Sequence, residues 1–525
     1  MHLVVINTAG KQRYIFSSRK RKEIVGASDL IARVNSTWAE EALTRTFQGF
    51  HPGWRLEDGH DAELITASAG SVTALVRDRE AGRRLVTELT RRALVEAPGL
   101  DVCGVVHDVG ESLAAGREEA GKKLAALQET RPGPEARFLR LPLVEDCQST
   151  GLPATELRRE GRGEPLSTRS AASVAKLAHF PSALDRLAEN AQTTSRTMSK
   201  IVDRLGLEAE WVAVIHADGN GFGQLFRGLG ERMSGLGHAA YAKELRTLSL
   251  GADRCALKAF RTALQLTAVE HASRNVDGRP PVLPLVLGGD DLTVLCEGEV
   301  ALPFTRHYLE AFERETAHDD TLRPVLKKAG RTGLGAAAGV AIVKRNYPFR
   351  FAYDLAEELI TAEAKGVKDW ASALAFTVLL ESSAPDLKRL RRSVTLPGGG
   401  PATATPYVVG ESSGNPRAEG RRWADLERRV AALRRRDAES GEPLVPAGVA
   451  HDLREGLCLG ADVAEARWSL LRMRFRGDQS RLEALDELGD GSGRLVWSDH
   501  EGTTMTGLVD AMEAQAFLGD GGGAR

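Results

Sequence analysis

Two acidic sites stand out by their spacing and their surroundings. Asp218 follows an apolar run, WVAVIHA (211–217), and is itself followed by Gly219-Asn220-Gly221-Phe222-Gly223. Asp290 and Asp291 sit inside a second apolar stretch, VLPLVLGGDDLTVLC (282–296), directly behind Gly288 and Gly289. Three carboxylates gathered at strand ends suit Mg²⁺ or Mn²⁺, hard cations that take oxygen ligands and share them with phosphates. Two such ions can stabilise both the attacking and the leaving oxygen of an in-line displacement. The glycines around Asp218 let backbone N–H groups approach a triphosphate, and Gly288 and Gly289 keep side chains away from where a nucleotide would lie. GGDD alone is as often a plain turn, since Gly and Asp dominate turns for backbone reasons. The strand ending in Asp-Gly-Asn-Gly ahead of it tips the reading to a metal site.

A lysine joins them from further along. The segment KRNYPFRFAYDLAEELITAEAK (344–365) starts a helix at Pro348, a favoured first helical residue, and is expected to bury Phe351, Leu355 and Leu359. It brings Lys365 to the helix end, within reach of nucleotide phosphates whose charge it would offset. The competing reading is a solvated lysine favoured by the helix dipole.

The elements that must position these residues recur. Residues 1–110 read as a strand (2–7), a helix (27–43), two strands around Ser68-Ala69-Gly70-Ser71 (63–77), a helix (79–95) and a strand (102–107). The order βαββαβ returns as a strand (211–217), helices to 271, the hairpin 282–296, a helix (301–317) and a strand (333–343). A helix (348–364) and a strand (373–380) follow. This is a tandem repeat of one α/β unit, the second copy elaborated. Between the copies, 165–208 reads as helical, with Leu177, Phe180, Leu184 and Leu187 on one face. Trp423, Leu426, Val430 and Leu433 open a C-terminal helical bundle. Pro/Gly breaks divide the chain into 1–130, a helical linker domain 138–208, a second α/β domain 209–385, a Gly/Pro-rich linker 386–420 and a helical domain 421–518. The tail GDGGGAR is expected to be disordered.

Composition sets the outer bounds. The 525 residues carry 70 basic and 72 acidic side chains, a net charge of −2, which excludes a generally basic nucleic-acid coat or a long acidic tail. Five scattered cysteines without a CxxC argue against a secreted disulfide framework. No apolar run approaches the ~20 residues of a membrane span, and the first residues lack a signal peptide's pattern. The expectation is a cytoplasmic protein with no membrane partner.

Three segments, IHADGNGFGQLF (215–226), LVLGGDDLTVL (285–295) and AGVAIVKRNYPFRFAYDLAEELITAEAK (338–365), together resemble the catalytic palm of the large-subunit family of type III CRISPR complexes. The segment GKQRYIFSSRKRKEIVGASDLI (10–31) is similar to that family's first, non-catalytic palm. The likeness spans residues 1–385 in architecture, and its specific motifs only a few dozen positions. It implies an α/β (α+β) fold of two ferredoxin-like βαββαβ palm domains, with Asp218, Asp290 and Asp291 as metal-binding residues. The implied activity turns ATP or other NTPs into cyclic oligoadenylate or another cyclic messenger in antiviral defence, through 3′-hydroxyl attack on an α-phosphate with release of pyrophosphate. Implied partners are guide or target RNA and small CRISPR subunits, with the two palms pairing within one chain or in a homo-oligomer. In this reading Asp218 and one of Asp290 or Asp291 hold the metals, and the remaining Asp orients or deprotonates the hydroxyl. Asn220 touches ribose or phosphate, Phe222 packs the loop, and Lys365 steadies the triphosphate.

The sequence departs from that family in places. The first palm starts at residue 2, so an N-terminal HD nuclease domain is not expected. His107-Asp108 and His451-Asp452 lack the other ligands such a site needs. EDCQSTGLPA (145–154) resembles a zinc-ribbon knuckle with Thr150 at the second ligand position. No tetrahedral zinc is expected there, and Cys147 reads as a small buried hydrophobe. The turn Ser68-Ala69-Gly70-Ser71 carries no carboxylate. The basic run Arg19, Lys20, Arg21, Lys22 and the arginines of 421–436 read mostly as solvated charge. Two rival functions stand beside the cyclase: a scaffold subunit of an RNA-guided complex, and a cyclic dinucleotide synthase outside CRISPR.

Overall fold

The computed structural model of the chain describes all residues except 69, 160–164, 233–236, 381–385, 393–395, 397–401, 491–492, 500–501 and 520–525. Ala69 of the first palm's turn and nearly all of the glycine-rich tail therefore lie outside the described residues.

Strands β1 (His2–Ala9), β2 (Ala62–Ser68), β3 (Ser71–Val76) and β4 (Asp101–Asp108) form an antiparallel sheet in the order β2-β3-β1-β4. Leu3, Val4 and Ile6 of β1 are fully buried. The helix Arg79–Glu96 lies flat on this sheet because Gly82 has no side chain; a Cβ there would stand 3.1 Å from Val4, Val76 and Val106. The expected helix 27–43 is two helices, Arg21–Val34 and Thr37–Thr46. The break frees Asn35, whose Oδ1 accepts from the Gly70 N–H at 3.1 Å and ties down the first palm's turn.

Residues 138–208 are helical only in their second half. A hairpin of β5 (Glu156–Arg158) and β6 (Ser167–Arg169) precedes helices Ala171–Ala178, Phe180–Asn190 and Ser195–Leu207. The first of these crosses Arg21–Val34 at Gly26, where any Cβ would collide with the Lys176 carbonyl.

Six strands make the second sheet: β7 (Trp211–Gly219), β8 (Val282–Gly288), β9 (Asp291–Glu297), β10 (Ala336–Lys344), β11 (Ser372–Leu379) and β12 (Tyr407–Val409). Their order is β12-β11-β10-β7-β9-β8. The last four places repeat the first palm's arrangement; β11, parallel to β10, and β12 extend one edge. Val212 to Ile215 are fully buried, which explains a continuous apolar run instead of an alternating one. The helix Phe349–Ala362 covers the face on which Gly339 lies beneath the Ala356 carbonyl. His216 pairs with Gly339 in register, so His216 and Asp218 share that face. The helix buries Phe349, Leu355 and Leu359, whereas Phe351 is 39% exposed, one position out of the expected phase.

The stretch expected as a linker, 386–420, holds β12. Asp510 accepts hydrogen bonds from the Thr403 hydroxyl at 2.6 Å, the Ala404 N–H at 2.7 Å and the Tyr407 hydroxyl at 2.8 Å. Residues 402–409 are thereby pinned beneath the C-terminal helices despite their Pro/Gly-rich approach. Those helices bury Leu453, Trp468, Leu485 and Leu508, and a short hairpin (497–498 with 504–505) joins them. The arginines of this region are not simply solvated: Arg429 is fully buried and donates to the Gly489 carbonyl.

Glu513, beside Asp510, has its carboxyl pushed up to about 7 by burial, with Arg391 opposing the shift. A carboxyl raised in the folded state contributes stability that is full below its ordinary pKa near 4.3 and lost as pH rises through about 7. Glu513→Gln should therefore flatten the fall in urea midpoint between pH 5 and pH 8. A parallel fall in variant and wild type would refute this origin.

Candidate active site

Antiparallel pairing of β7 with β9 sets Asp218 opposite Asp291, and the turn from β8 to β9 places Asp290 beside them. The Gly219 N–H donates to the Asp290 carbonyl at 2.9 Å, so the two acidic segments are joined through the backbone. Only glycine fits at 219, where a Cβ would lie 2.5 Å from the Phe222 ring and 2.7 Å from the Asp290 Cβ. Gly221 (φ +74°) and Gly289 (φ +64°) hold left-handed conformations that glycine takes without strain.

The charges are crowded. Burial, with the charges of Asp218 and Asp291 added, pushes the Asp290 carboxyl up to about 6. Two lysines answer this charge. Lys365, in the 3-10 turn Ala364–Val367 that follows the helix, is ion-paired with Asp218. Lys11, the first residue of the short helix Lys11–Ile15 that follows β1 of the first palm, meets Asp291 at 3.1 Å. His216 Nδ1 lies 3.6 Å from Asp291 Oδ1 and 3.2 Å from the Leu292 carbonyl oxygen, with its ring 5.2 Å from that of Tyr353.

A cavity of about 1170 Å³ opens on Asp218 and Asp290. Its walls include the 219–223 loop, five cations, Arg227, Arg314, Arg331, Lys365 and Lys368, and four further carboxylates, Glu310, Glu313, Asp369 and Glu411. The helix Phe222–Arg232 starts in this wall, and helix N-termini favour phosphate. Phe222 is buried and packs the loop. Gly223 has open space around it.

Of the expected nucleotide contacts, Asn220 lines the cavity but is engaged by the backbone around it, and Gly288 and Gly289 lie off the cavity. Asn220 is buried, its amide donating to the Ala371 carbonyl at 3.0 Å and its N–H to the Gly335 carbonyl at 2.8 Å, so it anchors the loop. Gly288 ends β8 opposite Asp291, and Gly289 faces Ser68 and Asp253; neither lines the cavity.

Among the described residues no three His, Cys, Asp or Glu side chains are gathered as a metal centre, and Asp218 and Asp291 are each ion-paired with a lysine. The donor set nonetheless fits a hard divalent cation. It is all oxygen, Asp291 Oδ1 is buried without a hydrogen-bond partner, and a cation would restore the ionised form that crowding disfavours in Asp290.

Sequence reasoning missed Lys11, His216 and Arg331. His216 was findable, since it lies two residues before Asp218 on one strand and so shares its face. Arg331 donates to the Asn220 carbonyl at 3.2 Å and its guanidinium crowds Gly221, a contact invisible at a separation of 111 residues. Cys147 is buried, as expected, and its thiol also has polar neighbours. Burial would raise its pKa, but hydrogen bonds from Ser149 and Thr150, side chain and backbone, bring it down to about 6.

Residues 211–372 match the family model described as Cas10/Cmr2, second palm domain. About a third of the chain is thus similar to a Cas10/Cmr2 second palm domain. That domain takes in β7 to the start of β11, and with it Asp218, Asp290, Asp291 and Lys365. A comparison with curated proteins finds no match. Among solved structures, the chain is similar to the Csm1–Csm4 cassette in complex with cA3 (12% identity, TM-score 0.46, 93% of this chain and 65% of that one). It is similar too to the apo Csm1–Csm4 cassette (13% identity, TM-score 0.44, 93% and 69%) and to the cassette with cA4 (14% identity, TM-score 0.39, 84% and 63%). The chain thus spans about two thirds of the length of these Csm1 chains. Among the described residues, no helix is long and apolar enough to cross a membrane.

Proposed function

We propose that the chain is a nucleotidyl cyclase of the type III CRISPR large-subunit kind, joining ATP into cyclic oligoadenylate or a cyclic dinucleotide. The observation that carries this reading is the meeting of Asp218 and Asp290, with Asp291 beside them, at a cavity whose walls bring lysines and arginines to the same place, inside the segment matched as a second palm domain. Asp218 and Asp290, with Asp291 behind them, would hold Mg²⁺ or Mn²⁺, which when bound supplies Lewis-acid activation and neutralises phosphate charge. The 219–223 loop and the helix that follows it receive the triphosphate, and Arg331, Lys365 and Lys368 offset its charge. The new bond joins a 3′-oxygen to an α-phosphorus; the bond to pyrophosphate breaks, and the hydroxyl proton is lost to solvent.

Pyrophosphate release from each NTP, with Mg²⁺ or Mn²⁺, tests the reading. Release confined to ATP supports adenylate chemistry, and no release under any condition contradicts a free-standing enzyme. Lys365→Met should lower kcat/KM about 10- to 100-fold, as loss of a phosphate-neutralising cation does. Because the Lys365–Asp218 pair is partly exposed, stability should change by less than about 1 kcal/mol. An unchanged kcat/KM would remove Lys365 from the site.

A second reading, a scaffold that docks partner subunits, is favoured by the apolar run at 139–144, where Leu139 is 76% and Leu143 98% exposed. Co-purification with guide RNA and small subunits would support it, and a chain that stays alone would count against it.

A further inference from the structure

The first palm has no acidic turn of its own, yet it grips the acidic turn of the second. Asp253, on the long helix His238–Glu270, makes the connection. The Ser68 hydroxyl, at the end of β2, donates to Asp253 Oδ1 at 2.6 Å, and the Gly289 N–H in the turn from β8 to β9 donates to the same oxygen. One carboxylate oxygen therefore receives a hydrogen bond from the hairpin turn of each palm. The turn is packed against both groups: a Cβ at Gly289 would stand 3.8 Å from Ser68 Oγ and 3.9 Å from Asp253 Oδ1. Two helical turns earlier on the same face, Arg246 is ion-paired with Glu63 of β2. On the far side of the hairpin, Lys11 of the first palm meets Asp291.

Gly289 sits at φ +64° directly before Asp290. A glycine turn with a free N–H can exchange conformations at little cost, and each exchange would swing Asp290 away from Asp218. A hydrogen bond to a carboxylate is among the stronger kinds and removes that freedom.

We propose that Asp253 is a positioning residue: it fixes the Gly289 peptide, and so the aim of Asp290, and makes that aim depend on Ser68 of the first palm. The inference rests on the nucleotidyl-transfer reading above, and its test carries a readout that does not.

Asp253→Asn keeps an oxygen acceptor and should retain near wild-type behaviour. Asp253→Ala loses it. The expected result for Asp253→Ala is a fall in kcat of about 100-fold, in line with a small misplacement of reacting groups, with KM for ATP and the thermal midpoint close to wild type. Half-saturation by Mn²⁺ should move to higher concentration. Ser68→Ala should lie between wild type and Asp253→Ala, and the double variant should be no worse than Asp253→Ala alone. Amide hydrogen exchange of the peptide spanning 286–292 should speed up in Asp253→Ala and not in Asp253→Asn. If wild type forms no product from any NTP, the functional reading fails while the exchange measurement still decides the positioning role. Equal exchange in Asp253→Ala and wild type, or additive losses in the double variant, would overturn the proposal.

Discussion

Alanine at both Asp290 and Asp291 is expected to abolish product formation, by at least about three orders of magnitude, while the protein stays folded. The size follows from what the carboxylates are asked to supply. Several kcal/mol of charge stabilisation by bound metal correspond to about a thousandfold or more in rate. The fold should tolerate the change because Asp290 is a strained tenant: burial and two neighbouring carboxylates already disfavour its charged form. Removing it relieves repulsion, whereas removing Asp291 leaves Lys11 without that ion pair. These opposing effects should leave the thermal midpoint within about 4 °C of wild type. Calorimetry beside the activity assay checks both halves. A collapsed midpoint would mean that the turn is structural, and retained product would move the chemistry elsewhere.

Gly339→Val is expected to destabilise the protein by about 3 kcal/mol or more. Gly339 sits in the middle of β10, and a side chain there would run into the Ala356 carbonyl and come within 3.1 Å of the Leu359 Cβ. Neither neighbour can give way: one is helix backbone and both lie in the core that presses the helix Phe349–Ala362 onto the sheet. The same shift would carry Lys365 away from Asp218, so activity should fall with stability. Gly121→Ala is the matching control. Gly121 lies within the helix Leu113–Thr130 with open space around it, and alanine there should stabilise by about 0.5–1 kcal/mol. Urea unfolding of the two variants gives the comparison directly; a Gly339→Val midpoint equal to wild type would contradict the packing described for this face.

What the sequence reveals, and what it hides, divides along chain distance. The runs WVAVIHA and VLPLVLGGDDLTVLC announce buried strands because both faces are covered, and Asp218 and Gly-Gly-Asp-Asp mark where they end. Helix phase is a weaker signal: the segment 348–364 carries both Phe349 and Phe351, and only packing against the sheet decides that Phe349 goes inside. The order in 402–409 was hidden because Asp510, which holds it, lies over a hundred residues away. Arg21 sits in a basic run that looks solvated, yet its guanidinium donates to the Arg345 carbonyl at 3.0 Å and lies over the Phe349 ring. The candidate site shows the same division. Its three aspartates are legible from local pattern, while Lys11, which pairs with Asp291, and Asp253 and Arg331, which hold the turns at Gly289 and Asn220, come from other elements and carry no motif. The internal repeat did offer one clue to Lys11, which follows β1 as the glycine-rich loop follows β7.

The most direct measurement is mass spectrometry of the products formed by the full chain from all four NTPs with Mg²⁺ or Mn²⁺, with the Asp290→Ala, Asp291→Ala double variant alongside. The account predicts a cyclic adenylate that is present with wild type and missing with the variant. The same cyclic product from both proteins would contradict the placement of the chemistry at Asp218, Asp290 and Asp291.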